Sequence, residues 1–412
     1  MANHTQAPLM VDIYLPAHRS LRVALVTETY LPEVNGVAAT VARLVDGLRG
    51  RGHTLQLVRP RQDTTDTATQ HDGFAEVLMR GLPIPRYPQL KMGLPSKHAL
   101  LKLWGAHPPD VVHIATEGPL GWSALQAASV LRLPVVSDFR TNFHAYTQHY
   151  GIAWLRSPIM AYLRKFHNRT HCTMVPTPAL RQELQGCGFK GLKVVARGVD
   201  TQQFDPAHRN HELRQSWGVA THTPVVLCVG RLAAEKNLAT LLAAFEAMCR
   251  VNPALRLVLV GDGPERAALQ ARCPQAIFAG VRRGHDLAAH YASADLFVFP
   301  STTETFGNVV PEAMASGLAV LAYDHAAAGQ LIESGRNGVL ARFNDRQDFC
   351  DAAASIVGAR EWLRALGLHA RQTARCLDWA RVVEAVEGEY LNAIVLPQPH
   401  QAAAWHGAVP VQ

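Results

Sequence analysis

Short apolar runs of strand character recur along the chain with helical patterns between them, and they come in two series. The first runs through RVALVTE from Arg22, TLQLV from Thr54, DVVHIA from Asp110, LPVVSDF from Leu133, CTMVPT from Cys172 and LKVVARG from Leu192. The second runs through PVVLCVG from Pro224, LRLVLVG from Leu255, QAIFAG from Gln275, DLFVFPS from Asp295 and LAVLAYD from Leu318. Strands this apolar need cover on both faces, which calls for parallel sheets packed between helices. Two series predict an α/β chain of two doubly wound, Rossmann-like domains. The pattern breaks at GVDTQQFDPAHRN, Gly198 to Asn210. The expected division is a first domain over 21–199 and a second over 205–377, with a flexible N-terminus over 1–20 and a disordered tail over 394–412.

Composition narrows the function classes. The 412 residues are 48% hydrophobic, enough for substantial cores. Lys plus Arg number 40 against 33 Asp plus Glu, a net charge of +7 that suits an anionic partner. The basic residues are spread out, without an aromatic-interleaved run, so nucleic acid is disfavoured. Seven cysteines without a CxxC pair argue against a zinc site or a disulfide framework. No apolar run approaches the ~18 residues of a membrane span, and the N-terminus lacks a signal peptide's apolar segment. A cytoplasmic protein is the expectation.

Ligands of doubly wound sheets bind at the carboxyl ends of the strands, so the residues just after the strands matter most. After the first strand, Asn35-Gly36 makes a turn into a helix. Its bare amides could hold an anion, or it is simply a tight connection. It is not GxGxxG, which disfavours a nicotinamide site. GRLAAEKN places Arg231 and Lys236 after the first strand of the second series, where they could grip a diphosphate or lie solvated on the surface. In LVLVGDGPERAALQ, Gly261 and Gly263 allow a close backbone approach. STTETFGNVVPEAMASG puts Glu304 in a loop and Glu312 in a helix beginning near Gly307. The amides of Phe306, Gly307, Asn308 and Val309 could take a phosphate, and each carboxylate a pair of sugar hydroxyls. A plainer alternative is that the acids only offset the helix dipole.

Taken together, GRLAAEKN, LVLVGDGPE and STTETFGNVVPEAMASGLAVLAYD resemble the donor-binding half of glycosyltransferase family 4. ALVTETYLPEVNGVA, DVVHIATEGPLGWSA and VARGVDTQQFDP resemble the subset that glycosylates lipids, including mannosyltransferases and sulfoquinovosyl-diacylglycerol synthases. The resemblance spans roughly residues 20 to 390. It implies retaining enzymes of the GT-B fold, two Rossmann-like domains facing across a cleft, with a C-terminal helix at about 378–393 crossing back to the first. By that resemblance Arg231 and Lys236 bind the donor diphosphate, Glu312 the ribose and Glu304 the donor sugar. Phe306, Gly307, Asn308 and Val309 offer amides, Val281 and Arg282 lie by the base, and Gly36 lines the cleft from the opposite domain. One departure stands out. The related lipid-directed enzymes carry a histidine in a Ser-x-His-Thr-x-Phe pattern; here SDFRTNFHAYTQHYG puts Arg140 at that position, with His144 nearby.

The implied reaction moves a sugar from a GDP- or UDP-linked donor, with retention and no other cofactor. No second carboxylate stands out as a nucleophile in the first domain, so a same-face mechanism is expected. No acidic pair or Cys/His cluster suggests a metal. The basic and apolar segment Met79 to His107, with Arg80, Arg86, Lys91, Lys97 and Lys102, suits an anionic membrane surface, a lipid acceptor and a peripheral place at the inner membrane face. A solvated loop and helix is the alternative there. A sugar-nucleotide epimerase of related architecture is a rival reading, disfavoured by the Arg/Lys and two-glutamate set.

Overall fold

The computed structural model describes residues 20–395, apart from Val34, residues 85–86, residues 141–155 and Thr221. The first sheet comprises β1 (Arg22–Val26), β2 (Thr54–Pro60), β3 (Gln70–His71), β4 (Phe74–Met79), β7 (Val111–Ile114), β8 (Val135–Asp138), β9 (Cys172–Val175) and β10 (Leu192–Val194). Its order is β10-β9-β8-β7-β1-β2-β4-β3, parallel except where β3 meets β4. Beside it, β5 (Gly81–Ile84) and β6 (Tyr87–Gly93) form an antiparallel hairpin. The second sheet comprises β11 (Val225–Val229), β12 (Arg256–Val260), β13 (Ile277–Gly280), β14 (Leu296–Phe299), β15 (Ala319–Tyr323) and β16 (Val339–Ala341), ordered β13-β12-β11-β14-β15-β16 and all parallel.

Strand alternation explains the cores. Along β1, Val23 and Leu25 face one buried cluster while Ala24 and Val26 face another. Along β11, Val225, Leu227 and Val229 face one cluster while Val226 and Cys228 face its opposite. Each sheet is thus covered on both sides, which is why its strands read as continuous apolar runs.

All eleven strand-like runs contain strands. The sequence reading omitted β3, β4, β16 and the β5–β6 hairpin. FAEVLM in β4 is only half-buried along its middle, and β16 is three residues long. The hairpin carries Pro83 and Pro88, which argue against a central strand and are tolerated at an edge. The segment Met79 to His107 is therefore a hairpin followed by the helix Lys97–Ala106, not a loop and helix.

The helix Trp379–Val395 returns to the first domain. Val382, Val383, Val386 and Tyr390 join its core beside Val41, Leu44 and Leu48 of the helix Gly36–Gly50. Gly47 leaves room for the approach, since a Cβ there would lie 2.4 Å from Val383. Arg51 Nε donates to Glu387 at 2.7 Å. Where the chain crosses between domains the two strands of the link run together, with the Val199 amide donating to the Leu377 carbonyl at 3.0 Å. Among the described residues no helix is long and apolar enough to cross a membrane.

Candidate active site

The second-domain wall of the cleft is built at the ends of β11, β12 and β14. After β11 the chain passes Arg231 and makes a tight turn, Ala234–Lys236, before Asn237 enters the helix Leu238–Val251. That turn is fixed to the loop after β14. Thr303 Oγ1 donates to the Glu235 carbonyl at 3.2 Å, and Asn237 Nδ2 donates to the Pro300 carbonyl at 3.2 Å. Lys236 Nζ is thereby delivered to Glu304, to which it donates a hydrogen bond within an ion pair. Ser301 Oγ donates to the same carboxylate at 2.8 Å. Burial pushes the Glu304 carboxyl up, but the Lys236 ammonium outweighs it and holds the group below the usual carboxylate range. Glu304 is ionised at neutral pH. Arg231 stands 3.6 Å from the buried carboxylate of Glu235. Lys236 is thus largely buried, and both cations are tied to glutamates.

Glycine makes the close packing of these loops feasible. Gly261 sits at φ +134°, and a Cβ there would lie 1.9 Å from the Gly230 carbonyl oxygen. A Cβ on Gly263 would lie 2.4 Å from the Leu232 carbonyl oxygen. The loop carrying Arg231 rests on the loop after β12, with the Leu232 amide donating to the Asp262 carbonyl at 2.9 Å.

Glu312 follows in the helix Val309–Ala315, where the fully buried Tyr291 donates to its Oε2 at 2.9 Å. Burial pushes the Glu312 carboxyl up to about 7, an effect the Tyr291 bond only partly offsets. The helix starts two residues later than the sequence suggests, because Gly307 adopts φ +88°. Among the described residues the amides of Phe306, Gly307 and Asn308 have no acceptor. Val281 and Arg282 lie apart, at the end of β13 two strands from β11. Val281 is exposed, and Arg282 is tied to Asp286 at 3.0 Å.

The first-domain wall meets this loop at two points. Asn308 Nδ2 donates to Thr40 Oγ1 at 3.2 Å and to the Gly36 carbonyl at 3.4 Å. Gly36 opens its helix under an Asn35 cap, whose Oδ1 accepts from the Ala38 amide at 2.8 Å. Thr305 Oγ1 donates to the Arg140 carbonyl at 2.8 Å. The Arg140 side chain is buried and ion-paired with Asp138, which His113 Nε2 also contacts at 2.8 Å. His113 Nδ1 in turn meets the hydroxyl of Tyr390 from the C-terminal helix at 2.7 Å. Burial alone would raise the Asp138 carboxyl; Arg140 and His113 reverse this and hold it well below its ordinary range. His144 lies outside the described residues.

Sequence reasoning did not single out Asp138, His113 or Glu117. Their only signal was position, each within or just after a strand of the first sheet. Among the described residues no group of three or more His, Cys, Asp or Glu side chains is placed to hold a metal.

Two doubly wound sheets, joined by a returning C-terminal helix and touching across a cleft, have the GT-B architecture of sugar-transferring enzymes. Two solved structures share it over the chain's length. Sucrose-phosphate synthase from Thermosynechococcus elongatus superposes with a TM-score of 0.76 at 21% identity, covering 90% of this chain and 98% of that one. HepE of Anabaena, solved with UDP and glucose, gives 0.70 at 20% identity, covering 90% and 99%.

The chain belongs to glycosyltransferase family 4. The family model "Glycosyltransferase Family 4" matches residues 34–203, and "Glycosyl transferases group 1" matches residues 223–358. A GDP-mannose-dependent alpha-mannosyltransferase from Mycobacterium tuberculosis is 36% identical over 375 residues, 90% of this chain and 96% of that protein. Its counterpart in Corynebacterium glutamicum is 33% identical, covering 92% and 91%. A sulfoquinovosyl transferase from Arabidopsis thaliana is 28% identical, covering 85% and 71%. The protein is a glycosyltransferase, and these relatives favour neither the epimerase nor the nucleic-acid alternative.

Proposed function

We propose that the protein transfers a mannosyl group from GDP-mannose to a membrane-lipid acceptor, with retention at the anomeric carbon. The observation that carries this reading is the junction of the two domains. Glu304 and Lys236 on one side and Gly36 and Arg140 on the other are drawn together by the Asn308 and Thr305 hydrogen bonds. The relatives named for GDP-mannose supply the choice of donor.

In this reading Glu312 accepts the ribose hydroxyls and Glu304 those of the sugar. The diphosphate replaces glutamate as partner of Lys236 and Arg231. Cations fixed before the reaction meet the charge that grows on the leaving phosphate without reorganising. The acceptor oxygen bonds to the anomeric carbon on the face from which the diphosphate departs, and its proton passes to the leaving phosphate oxygen. No metal or other cofactor is required. Arginine stays protonated, so Arg140 serves as a donor of hydrogen bonds and not as a base.

The acceptor side rests on the hairpin. Leu82 and Met92 are exposed on it, Lys91 lies on it, Arg80 precedes it, and Lys97 and Lys102 lie on the helix that follows. The Gly93 amide at its end donates to Glu28, which also accepts from the Leu120 amide at 2.9 Å. An apolar and basic surface is thus tied to the first-domain strand ends, as a peripheral enzyme drawing a lipid from a cytoplasmic membrane face requires. Incubation with labelled GDP-mannose, UDP-glucose and UDP-galactose in turn, over a bacterial lipid extract, tests the reading. Label from GDP-mannose should enter the organic phase; transfer only from a UDP-sugar would overturn the donor assignment.

A further inference from the structure

Glu117 lies between β7 and the helix Pro119–Val130, at the carboxyl edge of the first sheet. It is 3% exposed, and among the described residues neither oxygen of its carboxyl group has a hydrogen-bond partner. Arg140, after the adjacent β8, is 6% exposed and has Nε and Nη1 in the same condition. A carboxyl group and two guanidinium N–H-bearing nitrogens left unpartnered when buried are costly, so their burial calls for a ligand that satisfies them. The nearby Glu28 is a contrast. Its carboxylate is used up by the Gly93 and Leu120 amides and has a structural task.

Sheet order places Glu117. β7 runs between β8 and β1. The two hydrogen bonds across the cleft fall on either side of it: Thr305 reaches Arg140 after β8, and Asn308 reaches the helix that follows β1. Glu117 follows the strand that runs between them. Tyr162 Oη donates to the Glu117 carbonyl at 2.6 Å and fixes the backbone there.

We propose that Glu117, together with Nε and Nη1 of Arg140, forms a hydroxyl-binding site that positions the polar head group of the acceptor. The inference rests on the transferase reading and adds the residue that holds the second substrate. Nucleotide and sugar already have ligands in the second domain. A diol can donate to the carboxyl group while its oxygens accept from the guanidinium. Glu117 faces Asp138 and Arg140 at the end of β8, Glu28 at the end of β1, and Tyr162 of the helix Arg156–His167. Burial pushes the Glu117 carboxyl up to about 8; its own backbone amide and Arg140 oppose this, and Asp138 and Glu28 add to it. Protonated at neutral pH, Glu117 orients the attacking hydroxyl without removing its proton, which leaves with the phosphate oxygen.

The experiment compares wild type with Glu117→Leu and Glu117→Gln. It reads the thermal midpoint, GDP and GDP-mannose affinity by calorimetry, and transfer to glucosyl-dioctanoylglycerol as a soluble glycolipid probe. The site predicts a midpoint for Glu117→Leu at or above wild type, because an unpartnered buried carboxyl group is removed. Donor affinities stay unchanged while the probe's KM rises by about tenfold, the scale of one lost buried hydrogen bond. Glu117→Gln, which can still donate and accept, keeps most of the transfer. It should also lack the rise in kcat/KM through about pH 8 expected of wild type, since hydroxyls donating to Glu117 favour its ionised form. A midpoint lowered by several degrees in both variants would make Glu117 structural and overturn the proposal. Weakened GDP-mannose binding with intact GDP binding would assign it to the donor sugar and overturn it too. Wild type that binds neither GDP nor UDP would sink the transferase reading, while the midpoints would still decide whether Glu117 is held against stability for a ligand.

Discussion

Lys236 and Glu304 form the ion pair on which the proposed donor binding turns. Each neutralises the other, and a donor diphosphate must take the glutamate's place beside the lysine. Replacing Lys236 by Ala removes a charge-assisted contact to the donor, worth roughly 1.5–3 kcal/mol. Calorimetric titration with GDP should show that loss; unchanged affinity would remove Lys236 from the site. Glu312 makes binding depend on pH. Its folded pKa, raised from the ordinary 4.5 to about 7, means the folded protein favours the neutral acid, at a cost in stability as pH rises between those values. Ribose hydroxyls donating to Glu312 favour the ionised form, so binding expels a proton below about pH 7. GDP affinity should therefore rise from pH 5 to 7 and level off above, and Glu312→Gln should abolish the slope. A wild-type affinity independent of pH would contradict the ribose role.

Individual elements explain what the sequence made legible. Strands buried on both faces, such as β1 and β11, announce themselves as apolar runs, and the loops after them carried Gly36, Arg231, Lys236 and Glu304. Edge elements did not. β4 is half-buried, and the hairpin is broken by prolines, so neither has the pattern of a buried strand. Glu117 and Asp138 were equally silent, because a buried carboxyl group is recognised by what surrounds it and not by spacing along the chain. The hairpin now carries its own prediction. With Leu82 and Met92 exposed among basic side chains, it should draw the protein to anionic vesicles at about 1 kcal/mol per near-surface charge. Binding should weaken with added salt and with Leu82→Asp. Equal sedimentation with neutral vesicles would rule out the electrostatic part.

At the scale of the whole molecule, the two domains act as jaws with separate tasks. In the proposed reading the second holds the nucleotide and the first presents the acceptor, and the helix Trp379–Val395 packs back on the first domain. Through Tyr390 and His113 that helix also supports Asp138 and hence Arg140. Contacts across the cleft come from the same loop that carries Glu304, so in the proposed reading domain contact and sugar positioning share one loop. The most direct test is a transfer assay with labelled GDP-mannose and a lipid extract in EDTA, comparing wild type with Lys236→Ala. α-Linked mannose should enter the organic phase with wild type despite the chelator, and the variant should show a severe loss. Transfer that stops with EDTA and returns with Mg²⁺ or Mn²⁺, or that proceeds equally in both proteins, would contradict the proposed reading.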